Sequence, residues 1–291
     1  MDGSAPAVDG VVRPHLSGLT VYKMTGSGND FVMVDGRHSS PEDWAVSDIH
    51  AVCARGTGIG ADGLVCVGPG SKPGTVQMTY FNSDGSRAMC GNAALCSTRL
   101  AAHLGFANAL AMRLETDAGV YESRCSRDDG RAELRFAAVA APARVTSAAL
   151  SAGEQRAALA VVGVPHLVVL VDDVDPLDVT GRGKTLRHDP ALGPAGANVN
   201  FVAAGAGSGA RPEWRMRTYE RGVEGETLAC GTGAIAVACA LEQWGLGTLP
   251  LAIRTRSGKT LDVRGQKAPG GGYEDVWLVG EARLVFRGVV I

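Results

Sequence analysis

A chain of 291 residues exceeds what one compact core usually holds, so two domains of about 130–150 residues are the default. The formal net charge of −2 gives no basic footprint for nucleic acid or an anionic membrane. No apolar run reaches the roughly 18 residues of a membrane span. Forty glycines against 5% aromatic residues predict many turns and a core of Val, Leu and Ala.

In chain order, residues 1–18 (MDGSAPAVDGVVRPHLSG) lack the basic and apolar regions of a signal peptide and read as a flexible leader. The expected compartment is therefore the cytosol, where the cysteines should be reduced thiols. No CxxC pair or zinc spacing occurs, so no metal is expected. Short β-branched or alternating runs bounded by turn residues then read as strands: LTVYKMTG, DFVMVDG, GLVCVG, TVQMTYFN, AMRLETDAG, GVYESRC and RAELRFAAV. The Ala/Pro-rich segment 137–145 reads as the domain junction. Beyond it the pattern restarts with HLVVLVDD, ANVNFVAA, EWRMRTYE, LAIRTRSG, LDVRG and VWLVGEARLVF. GQKAPGGGYED, 265–275, reads as a hairpin loop.

Two segments read as helices, and both begin with the same phrase. CGNAALCSTRLAAHLG runs from Cys90 to Gly105, and CGTGAIAVACALEQWG from Cys230 to Gly245. The terminal glycines suit C′ positions. The near absence of charge predicts helices buried on most faces. The expected fold class is α/β, with two pseudo-symmetric domains from an internal duplication. Each is a curved, mostly antiparallel sheet or barrel wrapped around a central helix.

A helix N-terminus presents unpaired N–H groups and the positive end of the dipole, which favour a thiolate and can dock a carboxylate. Glycine after the cysteine allows close approach. The effect is worth about 0.3–2 kcal/mol, enough to tilt a thiol toward its thiolate without ionising it outright. That suits an acid/base catalyst. Two such thiols at one site resist ionising together, and a thiolate with a thiol makes a two-base racemisation pair. Cys53, Cys66, Cys96, Cys125 and Cys239 read as small buried hydrophobes.

KMTGSGNDFVMVD, GIGADGLV, FNSDGSRAMCGNAALC, GVPHLVVLVDD, NVNFV and YERGVEGETLACGTGA, in this order and spacing, resemble the diaminopimelate epimerase family over residues 19–291. The resemblance implies a pyridoxal-independent, cofactor-free epimerase that interconverts LL- and meso-diaminopimelate for lysine and peptidoglycan synthesis. It further implies a homodimer whose protomers have two pseudo-symmetric domains with the active site between them. The domains are expected at 19–138, completed by the C-terminal strand 278–291, and at 139–277.

Cys90 and Cys230 resemble the family's catalytic thiols. Gly91, Asn92, Gly231 and Thr232 match the helix starts that grip the carboxylate at the reacting centre. Asn29, Asn82, Asn198 and Arg221 match the groups that hold the substrate, chiefly its distal end. His166 and Glu220 match the polar pair that modulates the thiols, Glu220 also reaching the substrate ammonium. Two positions depart from the common family pattern. Val164 stands where Asn is frequent, and Gly63 where Gln is frequent, so polar substrate contacts are lost at both. The nearest rival is a racemase of another amino acid in the same superfamily. Asn92 argues against the Cys-Gly-His triplet of proline racemases, and the phenazine-type isomerases lack the thiol pair. A thiol redox sensor or binding protein is the reading from another class.

Overall fold

A computed structural model of the chain describes residues 16–126, 129–145, 150–205 and 213–291. The expected leader lies outside these residues up to position 15, and its last three residues belong to the fold. Leu16 is buried in a core cluster, and the Gly18 N–H donates to the Val290 carbonyl at 2.8 Å. The fold thus includes residues before position 19.

The chain forms two compact units, 1–129 with 282–291 and 130–281. In the first unit, β1 (Thr20–Gly26) and β2 (Asn29–Asp35) form an antiparallel hairpin with Gly26 opposite Asn29. Its two turn residues, Ser27 and Gly28, have φ of +53° and +109°. Positive φ at both central residues is the requirement of a type I′ turn, whose twist matches that of its strands. Helix α1 (Val46–Cys53) leads to β3 (Gly63–Pro69), parallel to β2, and then to β4 (Thr75–Asn82), antiparallel to β3. After the short β5 (Arg87–Ala88) comes α2 (Gly91–Leu104), then β6 (Met112–Thr116), parallel to β4, and β7 (Gly119–Cys125), antiparallel to β6.

The second unit opens with β8 (Arg131–Phe136), β9 (Ala143–Val145) and β10 (Glu154–Val162). It then repeats the plan. The antiparallel pair β10 and β11 (Val164–Val171) is followed by α3 (Val179–Arg187). Next come β12 (Asn198–Ala204), parallel to β11, and β13 (Trp214–Glu220), antiparallel to β12. The short β14 (Gly225–Thr227) leads into α4 (Gly231–Gln243). β15 (Leu251–Arg254), parallel to β13, β16 (Thr260–Lys267) and β17 (Tyr273–Glu281) complete the unit. β18 (Arg283–Val289) pairs antiparallel with β1. The fold is α/β with mostly antiparallel strand pairs, as expected.

Burial explains the plan. α2 packs against β1, β2, β3, β4, β6, β7 and β18, and α4 against β10, β11, β12, β15, β16 and β17. Ala93, Ala94, Leu95 and Cys96, and likewise every residue from Ala234 to Leu241, are fully buried. Each central helix is therefore enclosed by its own sheet, as its uninterrupted apolar sequence demands. The parallel pairs are covered on their other face as well. Ile49, Val52 and Cys53 of α1 pack with Val32, Val34, Leu64 and Cys66, while Val179 and Leu186 of α3 pack with Leu167, Val169, Val199 and Phe201. Strands buried on both faces read as continuous apolar runs, which is why FVMV and LVVLV do not alternate.

The domain limits differ from expectation. β8 pairs along its length with β17, from Phe136 opposite Val276 to Arg131 opposite Glu281, so residues 131–136 and 278–281 belong to the second unit. The segment 137–145 is not the junction; it carries β9, which pairs with β10. The expected strand VWLVGEARLVF is two strands that part at Ala282. The hairpin loop near 270 is shorter than expected, since β16 runs to Lys267 and β17 begins at Tyr273.

Candidate active site

Cys90 and Cys230 occupy the same backbone position in the two units. Each is the N-cap of its central helix, with extended φ/ψ of −128°/120° and −132°/111°. Each accepts the first helical hydrogen bond through its carbonyl, from Ala94 at 2.9 Å and from Ala234 at 3.0 Å. The residues that follow, Gly91-Asn92 and Gly231-Thr232, form the first turn, whose N–H groups have no intrahelical acceptor. Cys90 is half-buried and Cys230 buried, and all seven cysteines are thiols outside any disulfide. The Cys230 Sγ lies 3.7 Å from the Thr232 hydroxyl.

Around α2 the polar side chains form a chain of bonds. The buried Asn92 donates its Nδ2 to Asn29 Oδ1 at 2.7 Å, and Asn29 donates its own Nδ2 to Asp62 Oδ2 at 2.9 Å. Asp62 is held by Arg55, which also forks onto Asp30, and Lys23 reaches Asp30 from the other side. Burial works to raise the Asp30 carboxyl, but its bonds to Arg55 and Lys23 together hold it below the usual carboxylate range. Asn29, expected to contact substrate, thus spends its carbonyl on Asn92 and one N–H on Asp62. Asn92 Oδ1 is buried without a hydrogen-bond partner among the described residues. Asn82 stands at the end of β4, where its Nδ2 donates to Ser86 Oγ at 3.0 Å.

Around α4 the groups are different. Asn198 is buried at the start of β12 and accepts the Arg221 backbone N–H on Oδ1 at 2.7 Å, fixing the turn that carries Glu220 and Arg221. Burial pushes the Glu220 carboxyl above its usual value. His166 is fully buried on β11, which drives its imidazole down to about 3, with the Arg221 guanidinium adding to the effect. His166 is therefore neutral at pH 7.

The sequence reading missed one residue here. Asn200 is fully buried and bonds to His166, to the Leu167 carbonyl and to Thr218. The signal was present in NVNFV, where a second Asn two positions after Asn198 falls on the same strand face. The departures also gain a physical account. Gly63 lies opposite Asn82, and a Cβ there would sit 2.2 Å from the Phe81 carbonyl oxygen and 2.5 Å from the Tyr80 ring. Glycine at this position lets Tyr80 fill the space a longer side chain would need. Val164 is half-buried at the first position of β11. Among the described residues no cluster of three or more metal-binding side chains occurs, and no helix is long and apolar enough to cross a membrane.

The chain is similar to known proteins in sequence and in fold. A chain described as diaminopimelate epimerase from Gemmatimonas aurantiaca is 46% identical over 94% of this chain and 99% of its own length. One of the same description from Aquifex aeolicus is 36% identical over 93% and 97%. The fold is similar to that of a phenazine biosynthesis protein of the PhzF family from Bacillus anthracis, with a TM-score of 0.66 at 13% identity, covering 94% of this chain and 99% of that one. The sequence pattern of the family described as diaminopimelate epimerase matches residues 21–139 and 158–269, and the chain belongs to that family.

Proposed function

We propose that this member of the family interconverts LL- and meso-diaminopimelate, a step of lysine biosynthesis, with Cys90 and Cys230 as its acid–base pair. The observation that carries the reading is the twin N-cap: two cysteines with matching backbone angles, each heading a buried helix. The thiolate removes the α-proton, and the electron pair moves into the α-carboxylate. The first-turn N–H groups of Gly91, Asn92, Gly231 and Thr232 are donors of the kind that bind and stabilise this developing charge. The other thiol delivers its proton to the opposite face of the same carbon, which inverts the centre. Two thiols thus supply both acid and base, without pyridoxal phosphate or a metal. Arg221 suits a bidentate grip on the distal carboxylate, with Asn29, Asn82 and Asn198 as further polar contacts and Glu220 for an ammonium group.

The same proposal includes a cytosolic homodimer, which light scattering on the purified chain checks for its subunit number. The activity is tested by incubating the protein with LL-diaminopimelate and resolving the stereoisomers. Formation of the meso isomer is expected, with L-lysine left unracemised. Racemisation of lysine at a comparable rate favours the broader amino-acid racemase reading, and no conversion of either contradicts the proposal.

A further inference from the structure

Three strands of the second unit bring a buried polar set together behind α4. His166 on β11, Asn200 on β12 and Thr218 on β13 are 0%, 0% and 2% exposed. Asn200 and Thr218 are cross-strand partners. The Asn200 amide has a defined orientation, because its Nδ2 lies 3.3 Å from the Leu167 carbonyl, a group that can only accept. Its Oδ1 accepts from the Thr218 hydroxyl at 3.0 Å. The second hydrogen of Nδ2 therefore faces His166 Nδ1, 3.2 Å away. A nitrogen that accepts carries no proton, and a neutral imidazole has one proton to place. That proton sits on Nε2, a buried atom with no hydrogen-bond partner among the described residues.

The set touches the catalytic helix. A Cβ on Gly233, in the first turn of α4, would meet Asn200 Oδ1 at 2.4 Å and Cys230 Sγ at 3.2 Å. Asn200 thus packs on the same turn as the thiol, and position 233 must be glycine for it to do so.

We propose that Asn200 is a positioning residue that holds His166 in the tautomer protonated on Nε2, so that the ring offers a neutral N–H donor to negative charge arising at the start of α4. Its kinetic consequence rests on the epimerase reading; its structural content does not. Desolvation keeps the ring neutral, so the donor persists unchanged at pH 7. An N–H dipole stabilises a transient thiolate or carboxylate charge without the permanent ion pair that a cationic ring would form there.

Heteronuclear NMR on protein labelled with ¹⁵N at histidine reads the tautomer directly, the His166 signals being those absent from the His166→Gln variant. The expected result at pH 7 is a single neutral species with its proton on Nε2; a proton on Nδ1, or a cationic ring, overturns the proposal. Asn200→Leu, of similar volume and unable to donate or accept, should yield a tautomer mixture. It should lower kcat by about 10–100-fold, the usual cost of losing a partner that orients a functional imidazole, with KM little changed. His166→Gln, which keeps an N–H near Nε2, should retain more activity than His166→Leu. An Asn200→Leu protein that keeps the pure Nε2 tautomer and full kcat also overturns the proposal. Should the variant not fold, the spectrum of the unmodified protein decides alone. Should the unmodified chain fail to epimerise diaminopimelate, the functional reading falls, while the ring spectrum, which needs no substrate, still decides the role of Asn200.

Discussion

The two units place different chemistry on one scaffold. Behind α2, the positions topologically matching His166, Asn200 and Thr218 are Phe31, Val65 and Tyr80. Phe31 and Tyr80 meet edge to face with ring centroids 5.9 Å apart, and Val65 pairs with Tyr80. Behind α4 the same places hold a neutral hydrogen-bonded set. The polar support of α2 comes instead from its flank, through Asn92, Asn29, Asp62 and Arg55, ending in partly exposed ion pairs. The comparison teaches that the two units share an N-cap cysteine heading an enclosed helix while the surroundings of the two thiols differ. One is braced by charge at the surface, the other by neutral groups in the core. Under the proposed mechanism the two thiols exchange the roles of acid and base between the two epimers, and this exchange does not require identical settings.

The largest expected effect breaks the pair itself. Cys90→Ala and Cys230→Ala should each fold and lose about 10²–10⁴-fold or more in kcat/KM, measured by conversion of either stereoisomer. Full activity in one variant would show that only one helix start is catalytic. Next comes Arg221. Without a group to pair it, a site built for a charged ligand end loses about 10⁴-fold in discrimination. The unmodified enzyme should therefore prefer diaminopimelate to lysine strongly, and Arg221→Lys should erode that preference, since a point charge does not replace the fork. Paired kcat/KM values for the two amino acids check this.

Acid should then separate the units. His166 has a folded value of about 3 against an ordinary 6.5, so below pH 6.5 the unfolded chain binds a proton that the folded one does not. Stability linked to this group is complete above pH 6.5 and falls by about 1.4 kcal/mol per pH unit as the pH drops from there toward 3. At pH 5 the loss is about 2 kcal/mol. Asp30, held below its ordinary 3.8, keeps its contribution until the pH falls below about that value. Hydrogen exchange at pH 7 and pH 5 should show protection lost in β11–β13 and α4, in part offset by the raised carboxyl of Glu220, but kept in β2–β4 and α2, and the loss should disappear in His166→Gln.

The smallest effect concerns one methyl group. Alanine is the better helix former by about 1 kcal/mol, and in most helix interiors Gly→Ala stabilises. At position 233 the methyl would collide with Asn200 Oδ1, so Gly233→Ala should destabilise by about 1–3 kcal/mol in urea titration. The matching residue of α2 is Ala93, fully buried with its methyl in place. Stabilisation by Gly233→Ala would contradict the packing described for Asn200.

How much of this was legible beforehand follows from how local each feature is. The enclosed helices were readable because an N-cap, an uncharged run and a terminal glycine are local signals, and Gly105 does adopt φ of +74°. α1 and α3 were not read. VSDIHAVC is only eight residues long, and VTGRGKTLR contains two glycines, of which Gly183 is required where the helix packs on Tyr219. β10, EQRAALAVV, has weak strand propensity and is a strand because β9 and β11 pair with it. The identities of the site residues were readable from motifs, but their bonding was not. That Asn29 orients Asn92, or that Asn200 orients His166, depends on registers that no spacing encodes. The unit boundary escaped for the same reason, since only the pairing of β8 with β17 assigns residues 131–136.

The central claim, that two thiols act as separate acid and base on one carbon, is tested most directly by early time points of LL-diaminopimelate conversion in D₂O. The account predicts that the meso product carries one deuterium at the inverted centre while recovered LL substrate carries none, because the proton removed by one thiol is not the one delivered by the other. Deuterium appearing equally in recovered substrate and product would contradict it, assigning both removal and return to a single base.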